Sequence, residues 1–316
     1  TIAIIPWNIY LFYGDSKPLS DCYENIKRYV DYVERTSNNH LTTWGRGDWV
    51  PVKSHSNKEL TSSVYFYVDT KILAAAARLF GKQADYEYYS ILAEDIRQAV
   101  NDKFLNRETG IYAGGSQTEQ SVPLQWNIVP EELIGKVAAN LARKVEESDF
   151  HLDVGVLGAK AILNALSENG YAEIAYKIAV QDTYPSWGWW VVNGATTLLE
   201  NWDLQATRDI SDNHMMFGEI GAWFYKGLGG IFPDPAQPGF RNILLRPHFI
   251  KGLKRFEARH RSPYGEIISC WEWKGKRVHY EVTIPANSTA VLTLPDKTKG
   301  VRVVELTAGR YGFVVK

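Results

Sequence analysis

A glutamate close to several tryptophans is the first side chain of this sequence that could carry chemistry. Glu200 directly follows the stretch 194–199, in which small residues lead into an apolar turn. Trp202 comes two positions after Glu200. This pattern predicts a helix over 194–201 that holds the carboxylate on a rigid element. A carboxyl group that is partly removed from water has a raised pKa, so it can exchange protons near neutral pH. Glu200 is therefore a candidate acid–base group. The alternative interpretation is a solvated glutamate at a helix end.

Two further segments place polar side chains at predicted helix starts. The run Ser-Asp-Asn at 211–213 is typical of a helix cap, which puts His214 in the first turn. His151 and Asp153 alternate ahead of another predicted helix. Each of these side chains could bind a polar ligand, and the alternatives are a packing histidine and an N-cap aspartate.

The loop 44–49, Trp-Gly-Arg-Gly-Asp-Trp, encloses Arg46 and Asp48 between Trp44 and Trp49. Its glycines allow the backbone to turn sharply and to approach a ligand. This composition indicates either the polar edge of a cleft or a surface loop whose tryptophans fill a gap in the core.

A second aromatic loop, Tyr-Pro-Ser-Trp-Gly-Trp-Trp at 184–190, contains Trp187, Trp189 and Trp190. Three tryptophans within four positions cannot all face one core, so at least one is expected to line a cleft or an interface. The whole chain contains 11 Trp, 18 Tyr and 12 Phe. This content suits a cleft that stacks on sugars or other flat ligands, although a tryptophan-rich core would also account for it.

Composition excludes several classes of function. The 316 residues include 35 Lys and Arg against 36 Asp and Glu, a net charge of −1, which argues against a nucleic-acid partner. No apolar run reaches the roughly 18 residues that a membrane span requires, so no membrane insertion is expected. Cys22 and Cys270 lack metal-type spacing. The sequence contains neither a phosphate-binding loop nor a zinc or Asp-rich magnesium motif, so we expect no metal and no cofactor.

The periodicity of apolar residues divides the chain in two. A helical period runs from about 19 to 230, and it changes to the alternation of β-strands from about 240. A linker rich in Pro and Gly lies at 233–242. We therefore predict a mainly α protein, with an (α/α) barrel of helical hairpins in 1–236 and a small antiparallel β-sandwich in 237–316. The predicted helices begin at about 19 and continue at 60–80, 83–105, 118–127, 131–147, 154–168, 170–180, 194–201 and 213–229.

Taken together, these segments resemble the bacterial α-L-rhamnosidases of glycoside hydrolase family 78. Six segments match in the order of the family, and the stretch 185–203 is the most specific of them. The matching segments are IIPWNIYLFYGD (4–15), WGRGDW (44–49), HLDVG (151–155), YPSWGWWVVNGATTLLENWD (184–203), SDNHMMFGEIGAWFYKGLGGI (211–231) and the tail from SPYGEI to TIPANSTAVLTLP (262–295).

The resemblance implies an (α/α)6 barrel followed by a β-sandwich, and hydrolysis of terminal α-L-rhamnosyl residues with inversion at the anomeric carbon. It implies Glu200 as the general base and His214 as a histidine of the substrate pocket. The family also implies a rhamnose-containing carbohydrate as substrate and a periplasmic or extracellular location. It further assigns to the pocket, or to segments near it, Trp7, Trp44, Asp48, Trp49, Asp153 and Trp187.

One departure from the family concerns the general acid, a glutamate in an acidic motif upstream of the segment that corresponds to 4–15. We expect this acid, and further barrel helices, in an upstream N-terminal segment of the same protein, so that the barrel in this chain is incomplete. Three other interpretations stay open: a non-catalytic carbohydrate-binding protein of the same fold, a different (α/α)6 glycosidase, and a helical scaffold without a small-molecule site.

Overall fold

The computed structural model describes residues 2–296 and 300–315. The chain divides into two compact units: one combines the segment through Cys22 with 221–316, and the other comprises 23–220. The α-helices are α1 Ile4–Tyr13, α2 Lys17–Thr36, α3 Lys58–Leu79, α4 Gln83–Phe104, α5 Gln117–Gln125, α6 Ile134–Glu147, α7 Val156–Glu168, α8 Ala172–Ala179, α9 Trp187–Val192 and α10 Glu219–Trp223.

Helices α3, α5 and α7 are buried around most of their circumference, whereas α4, α6 and α8 bury one face each. Helix α3 packs along α4, and α7 packs along both α5 and α8. An inner layer of buried helices inside an outer layer of amphipathic ones is the arrangement expected of packed helical hairpins.

Local sequence explains where these helices begin. The Asn57 side chain accepts a hydrogen bond from the Leu60 amide at 3.0 Å and so caps α3. Ser116 and Glu119 form a reciprocal capping box at the start of α5. Helix α2 buries one face, whose members recur at three- and four-residue spacing: Tyr23, Ile26, Val30 and Val33.

The strands are β1 Leu105–Asn106, β2 Ile111–Tyr112, β3 Ile231–Pro233, β4 Asn242–Leu245, β5 Arg255–Ser262, β6 Gly265–Lys274, β7 Arg277–Ile284, β8 Thr289–Asp296, β9 Gly300–Leu306 and β10 Gly309–Val315. The strands from 231 onward form two four-stranded sheets, in the orders β10-β7-β6-β5 and β3-β4-β8-β9. Alternate residues of β7 are buried, as its period of two predicts.

The pairing in the β-domain is antiparallel, as predicted, except at one pair of strands. Strand β4 pairs with β8 in parallel. Between them the chain passes through β5, β6 and β7 of the other sheet, and this long connection lets it return in the same direction.

The predicted helix over 194–201 is also wrong. Helix α9 ends at Val192, Gly194 adopts a positive φ of 93°, and 195–201 is irregular. The Thr197 hydroxyl donates to the Asp212 carbonyl, so it bonds to a distant segment rather than to its own turn. The predicted helix over 213–229 divides into a 3-10 turn at 215–217, α10, and a π-helical turn at 224–228.

Helix α1 and helix α9 were not among the predicted helices. Within 2–296 and 300–315, no helix combines the length and the apolar character of a bilayer span. The predicted domain boundary at 236/237 stays a prediction.

Candidate active site

Two irregular segments, 197–200 and 211–214, pair with each other and bring Glu200 and His214 together. The Glu200 amide donates to the Ser211 carbonyl at 3.0 Å, and the His214 amide donates to the Leu198 carbonyl at 2.9 Å. These bonds take the place of the predicted helix. Glu200 is therefore held by a pairing between two loops, which we call the paired loops.

The side chains of Glu200 and His214 face each other across the paired loops. The distance from Glu200 Oε1 to His214 Nε2 is 4.0 Å, and the two side chains are 19% and 38% exposed. The Ser211 amide donates to Glu200 Oε2 at 3.2 Å. A carboxylate has about four acceptor positions, so Glu200 retains capacity for a water molecule or a ligand hydroxyl.

A buried aromatic group lies beside the paired loops. It consists of Trp187, Trp190, Trp202 and Phe217, and we call it the indole cluster. Trp190 stacks on Trp202 with ring centroids 4.8 Å apart and an interplanar angle of 18°. The centroids of Trp202 and Phe217 are 4.3 Å apart. All four side chains are buried, so the aromatic loop supplies core residues as well as surface ones.

Trp187, an expected neighbour of the substrate, lies inside the indole cluster at 6% exposure. Its Nε1–H donates to the Phe217 carbonyl at 2.9 Å, and its ring packs edge-on against Trp202. The structure thus leaves little of this ring for a ligand. The predicted role of Trp187 at the substrate stays a prediction.

The loop 44–49 divides into exposed and buried parts. Trp44 is 55% exposed and rests against Tyr29, with ring centroids 5.6 Å apart. The Arg46 guanidinium lies 5.2 Å from the centre of the half-buried Trp49 ring. Trp44 and Trp49 therefore both keep ring surface that a ligand could reach.

Asp48, by contrast, is buried at 8% exposure and caps helix α7. Its carboxylate accepts hydrogen bonds from the amides of Gly155, Leu157 and Gly158 at 2.8, 2.7 and 3.2 Å, and from the Thr118 hydroxyl. Burial raises the pKa of this carboxyl, although these hydrogen bonds act in the opposite direction. A Cβ atom at Gly155 would lie 2.3 Å from the Trp49 carbonyl, so only glycine permits this approach.

Asp153 braces a loop rather than capping the helix that follows it. Its carboxylate accepts hydrogen bonds from the amides of Lys53 and Ser54 at 2.9 and 3.0 Å, and from the Ser54 hydroxyl. Burial acts to raise the pKa of Asp153, but the hydrogen bonds from Ser54 and the Lys53 amide outweigh it and the net pKa is lowered. The N-cap role that was the alternative interpretation of Asp153 falls instead to Asp48, 107 positions before Gly155. His151 Nε2 contacts the Thr183 hydroxyl at 2.7 Å.

Trp7 lies in α1, in the other compact unit. It is half-buried and its ring centroid is 5.5 Å from that of Tyr10. The predicted pocket roles of Trp7, Trp44, Trp49 and Asp48 stay predictions.

The sequence reasoning missed two carboxylates that are largely shielded from solvent. Glu219, 12% exposed, lies 3.3 Å from the Lys160 ammonium and 3.0 Å from the Asn164 amide. Asp69 is buried in the inner helix α3, and burial raises its pKa to about 6. A carboxylate within the apolar run of α3 was a signal that could have identified Asp69. Within 2–296 and 300–315, no group of His, Cys, Asp and Glu side chains could hold a metal ion.

Comparison with known proteins identifies the family. Residues 1–228 match the family model described as the bacterial alpha-L-rhamnosidase 6 hairpin glycosidase domain. Residues 230–309 match the bacterial alpha-L-rhamnosidase C-terminal domain. The chain belongs to the bacterial α-L-rhamnosidase family.

Curated relatives agree with this assignment. The chain is 30% identical to an alpha-L-rhamnosidase of Streptomyces avermitilis. The match covers 92% of this chain and 28% of the length of the relative. It is 29% identical to one from Formosa agariphila, over 95% of the chain and 34% of the relative. The chain therefore spans about a third of the length of these α-L-rhamnosidases.

Solved structures confirm the fold class, a helical barrel followed by a β-domain. The Streptomyces avermitilis alpha-L-rhamnosidase complexed with L-rhamnose matches with a TM-score of 0.91 and 28% identity, over 100% of this chain and 32% of that chain. The alpha-L-rhamnosidase of Dictyoglumus thermophilum matches with a TM-score of 0.90 and 33% identity, over 99% and 39%.

Proposed function

We propose that this protein hydrolyses terminal α-L-rhamnosyl residues of glycosides or polysaccharides with inversion of configuration, and that Glu200 is the general base. The observation that carries the proposal is the Glu200–His214 pair on the paired loops, within a chain of the α-L-rhamnosidase family. Glu200 is partly exposed, is fixed by a backbone amide and has acceptor capacity left for a water molecule.

In the proposed reaction, Glu200 removes a proton from a water molecule as that water attacks the anomeric carbon. The bond from this carbon to the leaving oxygen breaks, and a carboxylic acid protonates the oxygen. An inverting enzyme places two such carboxyl groups about 6.5–9.5 Å apart, so that the water fits on the opposite face of the sugar. We propose that the acid lies in an upstream segment of the same protein, as the family resemblance implies. The relatives are about three times as long as this chain, which leaves room for such a segment.

Substrate binding follows from the same surfaces. Rhamnose has a methyl group and an apolar ring face, which suit the accessible indole rings of Trp44 and Trp49. In this proposal His214 Nε2, 4.0 Å from Glu200 Oε1, fixes a sugar hydroxyl close to the carboxylate. The relative from Streptomyces avermitilis was solved with L-rhamnose, which supports the choice of sugar.

The test compares three proteins on an aryl α-L-rhamnoside: this 316-residue chain, a form extended upstream as in its native gene, and the extended form with Glu200→Gln. We expect turnover by the extended form, with β-L-rhamnose as the first product by NMR, and a loss of several orders of magnitude in Glu200→Gln. Glu132→Gln is the matched control, because the Glu132 side chain is 68% exposed on the surface.

Other outcomes separate the alternatives. Turnover by the short chain alone would place the acid among its own carboxylates. Binding of rhamnose without turnover in any form would favour a carbohydrate-binding protein. Turnover of another glycoside, but not of the rhamnoside, would favour a different glycosidase.

A further inference from the structure

The three indole N–H groups of the indole cluster all donate to backbone carbonyls. Trp187 bonds to the carbonyl of Phe217 at 2.9 Å, Trp190 to that of Trp202 at 3.2 Å, and Trp202 to that of Val154 at 2.8 Å. The indole nitrogen is only a donor, and when it is buried it needs an acceptor. The carbonyls of Val154 and Trp202 belong to irregular segments, and that of Phe217 lies at the end of a 3-10 turn. The cluster thus supplies donors to carbonyls that lie outside the long helices and the sheets.

The accepting carbonyls lie close in sequence to the polar residues of the candidate site. Trp202 follows Glu200 by two positions, and Phe217 follows His214 by three. Val154 is adjacent to Asp153. The cluster therefore ties together the three segments that carry these side chains, and the ring stacking fixes the orientation of each tie.

The indole cluster explains how Glu200 is held in place although 194–201 forms no helix. A short irregular segment has few backbone hydrogen bonds of its own, yet a general base must be held within a fraction of an ångström. Trp202 supplies the missing support twice, because its indole N–H donates to Val154 and its carbonyl accepts from Trp190.

We propose that the indole cluster positions the catalytic pair: Trp202 is a positioning residue for Glu200, and Trp187 is one for His214. The contacts alone support the positioning of Glu200 and His214 by these tryptophans. The effect of that positioning on turnover rests on the proposed function. Neither residue needs to touch the sugar.

The test removes single N–H groups while it keeps an aromatic ring. Trp202→Phe and Trp187→Phe are compared with Trp271→Phe, in the protein as its native gene encodes it. Trp271 is a matched control because it is fully buried in the C-terminal sheets and its Nε1–H donates to the Leu228 carbonyl at 2.9 Å. All three variants thus leave one buried carbonyl without its donor.

Amide hydrogen exchange is the first readout, because it needs no substrate. We expect the amides of Glu200 and His214 to exchange about tenfold faster or more in Trp202→Phe, and the His214 amide to do so in Trp187→Phe. Exchange at both amides should match the wild type in Trp271→Phe, even where its melting temperature falls as much. Unchanged exchange in the two cluster variants, or equal acceleration in the control, would overturn the proposal.

Kinetics on the aryl α-L-rhamnoside is the second readout. We expect kcat to fall roughly 10- to 100-fold in Trp202→Phe, with little change in KM and an unchanged kcat in Trp271→Phe. Faster exchange with an unaltered kcat would overturn the positioning role. If Trp202→Phe does not fold, Trp187→Phe, at the edge of the cluster, decides the matter at His214. An inactive wild type would contradict the proposed function. The amide exchange rates of Glu200 and His214 would then be the only test of whether the tryptophans hold these residues in place.

Discussion

Glu200 Oε1 lies 4.0 Å from His214 Nε2, beyond the length of a direct hydrogen bond. The Met216 amide donates to His214 Nδ1 at 3.2 Å, so a neutral imidazole carries its proton on Nε2 and directs it toward the carboxylate. A hydroxyl group within reach of both atoms would be held by a donor on one side and an acceptor on the other. The geometry of the pair is therefore suited to hold a polar ligand between the two side chains.

His214→Asn tests this role of the histidine. An asparagine keeps an acceptor near the position of Nδ1, so the bond from Met216 can persist, but it has no group at the position of Nε2. We expect kcat/KM on the aryl α-L-rhamnoside to fall by about 10- to 100-fold, which corresponds to one lost polar contact of roughly 1.5–3 kcal/mol. The melting temperature should stay nearly constant. His279→Asn, on β7, is the control. An unaltered kcat/KM would remove His214 from the site.

Asp48→Ala tests whether this aspartate acts on the fold or on the sugar. The substitution leaves three helix-start amides and the Thr118 hydroxyl without their acceptor. Leaving buried donors unsatisfied costs about 1–3 kcal/mol for each group, so we expect a loss of roughly 3 kcal/mol or more in urea unfolding. Asp102→Ala, at an exposed position of α4, should lose far less. Wild-type stability combined with a raised KM would instead place Asp48 at the substrate.

Some of this molecule follows from local sequence and some does not. The hairpin helices were predictable because apolar residues at positions such as 23, 26, 30 and 33 record one buried face. The segment 194–201 was mispredicted because its backbone groups bond to 211–214, and no local pattern records a partner that lies eleven or more positions away. The capping of α7 by Asp48 likewise joins residues that are far apart in the sequence. The same holds for the parallel pairing of β4 with β8.

The candidate site shows the same distinction between features that depend on local sequence and features that depend on distant contacts. Glu200 and His214 were named from motifs, and the structure brings them together. Their support could not be predicted, because it depends on which carbonyl each buried indole N–H of Trp187, Trp190 and Trp202 reaches in the folded chain. The sequence was sufficient to name Glu200 and His214 as candidates, whereas side-chain packing in the folded chain determines how rigidly they are held.

Asp69 should make the stability of the protein depend on pH. Burial raises the pKa of this carboxyl to about 6, from an ordinary value of 3.8. Between these values the folded state binds more protons than the unfolded state, so the free energy of unfolding falls as the pH rises. Relative to Asp69→Asn, we expect the wild type to lose about 1–3 kcal/mol between pH 4 and pH 7. Urea unfolding at a series of pH values measures this, and parallel curves for the two proteins would contradict it.

Trp44→Ala distinguishes a sugar-binding tryptophan from a structural one. The ring packs at an interplanar angle of 45° against Tyr29 and edge-on against Tyr32, while 55% of the residue is exposed, so its removal takes little buried surface from the fold. We expect KM for the aryl α-L-rhamnoside to rise about tenfold, the effect of losing roughly 1.4 kcal/mol of stacking, with a small change in kcat and in melting temperature. Tyr88→Ala on α4 is the matched control, because Tyr88 is 54% exposed and also packs on a neighbouring tyrosine. If both variants bind the rhamnoside as the wild type does, Trp44 is an ordinary surface aromatic residue. A large drop in melting temperature for Trp44→Ala alone would show that its packing against Tyr29 and Tyr32 stabilises the fold.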